Sequence, residues 1–182
     1  MRKVSGFIAA VLLVAALVGC SSSNKTNTAA STTHTHVSTT AVACSKVGTK
    51  KLAKTRFLLH AGLGIGAFRH WVYTPFKAGK FNKGQKGRVK TMVKAGAAAL
   101  FALHQLKTAK KFAEADKTLC KLVAPIDKLT ASLPGLGSGL KAGKLDSSGI
   151  STTATNVASL KGSSTKLGAP ITEHVPASIP GT

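Results

Sequence analysis

The sequence of 182 residues predicts an all-α protein: a small antiparallel bundle of three to four helices that comes after a disordered polar stem. Three observations predict it. Aromatic residues make up only 5% of the chain while Ala, Gly, Leu and Lys are abundant, which favours closely packed helices over a sheet of β-branched and aromatic side chains. Apolar residues recur at steps of three and four in separate stretches between residues 57 and 140. Residues 21–43, by contrast, are nearly all Ser, Thr, Asn and Ala, and cannot bury enough apolar surface to offset the entropy of ordering. Beyond the stem, roughly 125 to 140 residues remain, which suits one small domain over residues 44–170.

The first helix is expected from about Ser45 to Tyr73, with Pro75 stopping it. Leu58, Ala61, Ile65, Phe68 and Val72 line one face. Gly62 and Gly66 lie four apart on a neighbouring face, where they would let another segment pack closely. Gly62-Leu63-Gly64-Ile65-Gly66 echoes a dinucleotide loop, but no strand precedes it and the last glycine is misplaced.

The second helix is expected over about Lys86–Glu114. Met92, Gly96, Ala99, Leu103 and Leu106 form one stripe and Val93, Ala97 and Leu100 broaden it, as suits the central helix of a bundle. Lys94, His104 and Lys107 cut its apolar run below membrane-spanning length.

Asp116 is placed to cap a third helix in which Leu119, Leu122, Val123, Ile126, Leu129 and Leu133 recur, with Pro125 kinking or restarting it. Leu136 and Leu140 extend the pattern through Gly135, Gly137 and Gly139, so residues 134–143 read equally as helix or loop. Asp146 or Ser147 would cap a fourth helix carrying Ile150, Val157, Leu160 and Leu167, which must dock to be stable. Gly168 and Pro170 end it, and residues 171–182 are expected to be a flexible tail.

The N-terminus has the layout of an export signal: Arg2 and Lys3, an apolar run from Phe7 to Val18, then Gly19 and Cys20 before an abrupt change to polar residues. Leu17-Val18-Gly19-Cys20 resembles the lipobox of the bacterial lipoprotein class. That resemblance implies that residues 1–19 are a signal peptide, that Cys20 is thioether-linked to a diacylglycerol, and that the mature chain (residues 20–43 as lipidated stem, then the domain) sits on the extracytoplasmic side of the cell membrane.

Charge is the chain's other dominant feature. Loss of Arg2 and Lys3 with the signal reduces 26 cationic residues to 24 and leaves all 5 acids, a formal +19. Such an excess attracts anionic membrane or polyanions through screened electrostatics, without implying specific nucleic-acid recognition. The connector between the first two helices carries Lys77, Lys80, Lys83, Lys86 and Arg88 with Phe76 and Phe81 interleaved. These residues, Phe81 among them, are the candidate contact with an anionic lipid surface or cell-envelope polyanion; the alternative is that both Phe pack inward under the loop while the lysines are solvated.

Beyond Cys20, Cys44 and Cys120 form an even pair in an oxidising compartment and are expected to join, closing a loop of about 76 residues and adding roughly 4 kcal/mol in the chain-entropy model. His60, His70 and His104 are the candidates for a competing role, a small-ligand, metal or haem carrier. His60 and His70 are ten apart, about 80 degrees from one another around a helix, and no Cys or Glu stands at ligand spacing. Thr33-His34-Thr35-His36 in the stem offers two imidazoles but no further ligands nearby. No cofactor is expected. Nor is an enzyme, since there are no paired carboxylates in an apolar run, no phosphate loop and no nucleophile elbow around Ser138.

Overall fold

Apolar and small residues at helical spacing produce four principal helices in a computed structural model, which describes residues 44–180. Helix α1 (Ala53–Phe68) continues through a π-helical turn (Arg69–Tyr73) and a last α-helical turn (Thr74–Lys77). Helix α2 spans Arg88–Ala113, a 3-10 turn covers Leu119–Leu122, α3 runs Val123–Lys141 and α4 Ser147–Lys166. No strand occurs among the described residues, and the architecture is an all-α bundle. The expected signal, Cys20, His34, His36 and the expected stem lie outside the described residues. None of the described helices is long and apolar enough to cross a membrane.

Helix α2 is the centre. Ala95, Ala98, Ala99, Ala102, Ala109 and Ala113 are fully buried along it, and these short side chains let α1 approach on one side and α3 on the other. Contacts fix the directions: His60 of α1 meets Gln105 while Trp71 meets Lys94, and Lys110 of α2 meets Asp127 while Gly96 meets Gly137, so both pairs are antiparallel. A Cβ on Gly96 would lie 2.7 Å from the Gly137 carbonyl oxygen, which makes that crossing a near backbone contact. Helix α4 packs against α3, where the hydroxyls of Ser132 and Thr153 meet at 3.1 Å.

Helix boundaries are set by local chemistry, with two departures from the sequence-based expectation and two open alternatives decided. Residues 44–51 form turns and α1 begins at Ala53, after Leu52 in a left-handed conformation (φ 54°). Pro75 does not stop α1. The π-helical turn ends just before it, with the Thr74 N–H bonded to the Arg69 carbonyl five residues back, and Pro75 enters the first positions of the last turn, where its missing N–H is tolerated. Residues 134–141 are helical, Pro134 and three glycines included, because Leu133, Leu136 and Leu140 are anchored in the core. Pro125 stands in the first turn of α3, so the helix restarts there after the 3-10 turn. Asp116 caps that 3-10 turn, accepting from the N–H groups of Thr118 (2.8 Å) and Leu119 (3.0 Å), and Asp146 caps α4 through the N–H of Gly149 (2.8 Å).

The expected flexible tail is the largest correction. Residues 169–180 have no regular structure, yet Ala169, Ile171 and Ile179 are buried. The segment crosses α1 at Gly62 and Gly66: a Cβ there would stand 2.3 Å from the Thr172 oxygen and 2.2 Å from the His174 oxygen. The His174 N–H donates to the Gly62 carbonyl at 3.1 Å. The close neighbour that those two glycines admit is therefore the chain's own C-terminal segment, not another helix. Cys44 and Cys120 form a disulfide (Cα–Cα 5.2 Å) that ties the start of the domain to the 3-10 turn.

Candidate functional site

The connector between α1 and α2 is shaped by three glycines with positive φ, Gly79, Gly84 and Gly87, and by one ring. Phe81 is 1% exposed: it turns inward to the core and cannot insert into a membrane. Arg88 is also withdrawn from any surface role. Its Nε donates to the Phe81 carbonyl at 2.7 Å and its Nη2 to the Gly143 carbonyl at 3.2 Å, so it clamps the connector to the α3–α4 turn. Phe76 is half-buried against the core. The physical reasons differ: an apolar ring gains more from the space under the loop than from water, whereas the Arg88 guanidinium satisfies two otherwise open carbonyls. What remains outward are Lys77, Lys80, Lys83 and Lys86, all exposed and none within ion-pairing distance of a carboxylate among the described residues.

Every acid in the sequence is used inside the fold. Glu114 accepts from Lys46 (2.8 Å), Asp127 from Lys110 (2.6 Å), Asp116 and Asp146 cap helical turns, and Glu173 holds both Arg69 (2.9 Å) and Lys161. Backbone and hydroxyl donors from Gly149 and Ser148 hold the Asp146 carboxyl below its ordinary range. Partial burial pushes Glu173 up, but hydrogen bonds and charge from Lys161 and Arg69 outweigh it and leave that carboxyl lowered. With the acids committed, no side-chain carboxylate among the described residues is left to screen the connector lysines.

The three histidines do not share a concavity. His60 is half-buried, bonded through Nδ1 to Gln105 Oε1 at 2.7 Å and stacked on Phe112 (centroids 5.6 Å apart). His70 is exposed and meets Trp71 edge-on. His104 is exposed on the outer face of α2, beside a cavity of about 430 Å³ shared with Leu100, Lys141 and Pro180. Among the described residues, no group of three or more His, Cys, Asp or Glu could hold a metal ion.

A feature that sequence reasoning missed is a groove between the end of α1 and α4. Two cavities, about 410 and 330 Å³, adjoin through Tyr73, Ala154 and Ala158. Phe68 and Val157 continue the apolar wall at one end and Phe76 at the other. Arg69, Lys161 and Glu173 stand at the first end, Lys77 at the second. The π-helical turn brings Arg69 and Tyr73 to the same groove. The alternation of Ala154, Val157, Ala158 and Lys161 on α4 was visible in the sequence, but nothing there showed that α4 packs beside the end of α1. No protein-family model, curated protein or solved structure matches this chain.

Proposed function

We propose that this is a lipid-anchored, extracytoplasmic, non-enzymatic protein whose basic helical domain engages anionic surfaces, either membrane headgroups or envelope polyanions, through Lys77, Lys80, Lys83 and Lys86. One observation carries the reading: all five acids are tied up in caps and ion pairs, while these four lysines stand exposed on a connector pinned from below by Phe81 and Arg88. The contact is made by charge alone, since no aromatic side chain of the connector is free to insert. Each lysine near an anionic surface contributes about 1 kcal/mol, so four acting together give useful but salt-sensitive attachment.

Geometry is compatible with a tether at the other end of the domain. Cys44 lies at the start of the domain, ahead of α1, and α1 with its extensions, 25 residues from Ala53 to Lys77, places the connector about 37 Å away. The 23 residues from 21 to 43 have a contour length of up to roughly 80 Å, so an anchor at Cys20 leaves the connector able to reach the same membrane or a polymer beyond it.

The reading is tested with the full chain by co-sedimentation with vesicles of phosphatidylglycerol or of phosphatidylcholine, and by titration with a soluble polyphosphate. Binding to the anionic probes that falls steeply between about 50 and 500 mM salt, with none to phosphatidylcholine beyond the anchor's own contribution, is expected on electrostatic grounds. Binding indifferent to salt would overturn it. In the producing cell, Cys20→Ser is expected to abolish acyl labelling and release the protein from the membrane; retention would refute the anchor.

A further inference from the structure

The groove beside the π-helical turn is a built concavity that meets the connector lysines at Lys77. Where the two cavities adjoin, Tyr73 of the π-helical turn lines it with Ala154 and Ala158 of α4, and the shortness of those two alanines is what leaves the channel open. Its volume lies in the range of small-ligand sites. From Ser151 to Lys161 it runs along eleven residues of α4, about 15 Å.

Charge is concentrated at the ends. Arg69 and Lys161 share the single carboxylate of Glu173, and Lys77 at the far end, beside Ser151 and Thr155, has no acid partner among the described residues, which makes three cations against one anion around a channel whose middle is apolar. A neutral apolar ligand would leave that excess unused. A ligand with one anionic head and a slender apolar body matches both features: the head joins or displaces Glu173 at Arg69 and Lys161, while the body lies along Tyr73, Ala154 and Ala158.

We propose that this groove binds a single-chain anionic amphiphile, with a carboxylate or phosphate head held by Arg69 and Lys161 and an acyl chain lying between α1 and α4. The head-group end of the site, at Arg69 and Lys161, is separate from the connector surface, which the groove meets at Lys77: blocking the groove at Ala158 is expected to leave vesicle binding unchanged, and replacing Lys80, Lys83 and Lys86 to leave groove labelling unchanged.

The test uses the full chain in phosphatidylcholine nanodiscs and three photoactivatable probes of equal chain length: palmitate, lysophosphatidate and the neutral hexadecanol. Illumination followed by peptide mapping is expected to place adducts on residues 68–77 and 151–161 with either anionic probe, the better of the two identifying the head group. Ala158→Trp fills the channel from an exposed position on α4 and is expected to lower site labelling about tenfold. Lys161→Gln is expected to weaken it about three- to fivefold, and Glu173→Gln, which frees both cations, to strengthen it by a similar factor. Labelling spread evenly along the chain, equal labelling by hexadecanol, or an Ala158→Trp protein that keeps its disulfide and helical spectrum yet labels as before, would each overturn the proposal.

Discussion

Substituting Gly66 by alanine sets two opposing effects against each other within one methyl group. Gly66 lies inside α1, where alanine is preferred by about 0.5–1 kcal/mol for reasons of backbone entropy. On that ground alone the variant gains stability. The added Cβ, however, would sit 2.2 Å from the His174 carbonyl oxygen, 2.6 Å from its carbon and 3.0 Å from its nitrogen, and all three are backbone atoms that no rotamer change can move. The C-terminal segment must therefore shift outward. Overpacking of this kind costs about 1–3 kcal/mol, and the His174 to Gly62 hydrogen bond is worth about 1 more. Burial of Ile171 and Ile179 is threatened as well, at about 1.5–3 kcal/mol each, partly offset by the freedom the released segment regains. The net expectation is a loss of about 1–3 kcal/mol in urea unfolding, with faster hydrogen exchange at the His174 amide. Gly135→Ala is the control. It lies in α3 with nothing within 4 Å of the new Cβ, and should gain about 0.5–1 kcal/mol. A Gly66→Ala protein as stable as Gly135→Ala, with the His174 amide still protected, would refute the docked tail.

Single contacts set three further expectations. Cys120→Ser should lower stability by about 2–4 kcal/mol, and the oxidised parent should show no free thiol at Cys44 or Cys120 by alkylation and mass analysis. Phe81→Ala should cost about 3–5 kcal/mol, since the ring is fully buried, but change vesicle binding little in protein that remains folded, the opposite of an inserting residue. Glu173 has a folded-state pKa below its ordinary 4.5, so its contribution is complete above that value and is lost as pH falls through the lowered one. Comparing Glu173→Gln with the parent from about pH 6 down to about pH 2, the difference in stability should shrink toward the acid end, and a difference that grew would contradict the Arg69–Glu173–Lys161 arrangement.

Much of the fold is legible in the sequence because periodic apolar residues and caps act locally. The stripe from Met92 to Leu106 needs only its spacing to declare a central helix, and Asp146 needs only the N–H of Gly149 three residues on. The failures have a common origin in contacts between residues distant in sequence. Ile171 and Ile179 look like isolated apolar residues in a proline-containing tail until Gly62 and Gly66 supply a notch for that tail to lie in. Local pattern likewise cannot show whether Phe81 points to solvent or inward, since that depends on space left beneath the connector. Arg88 reads as one more surface cation, and only the Gly143 carbonyl, 55 residues away, makes it a clamp. The groove beside Tyr73 belongs to the same class, being a product of where α4 packs and not of any motif along it.

The central claim is that the connector lysines, and not the net charge alone, make the anionic contact. The decisive measurement compares two full-length variants that lose equal charge: one with Gln at positions 77, 80, 83 and 86, the other with Gln replacing the exposed Lys50, Lys51, Lys111 and Lys117 at the opposite end of the bundle. In phosphatidylglycerol vesicle binding at about 100 mM salt, the connector variant is predicted to lose at least about tenfold in affinity, and the other variant several times less. Equal losses from the two would show that charge is read without regard to place and would contradict the assignment.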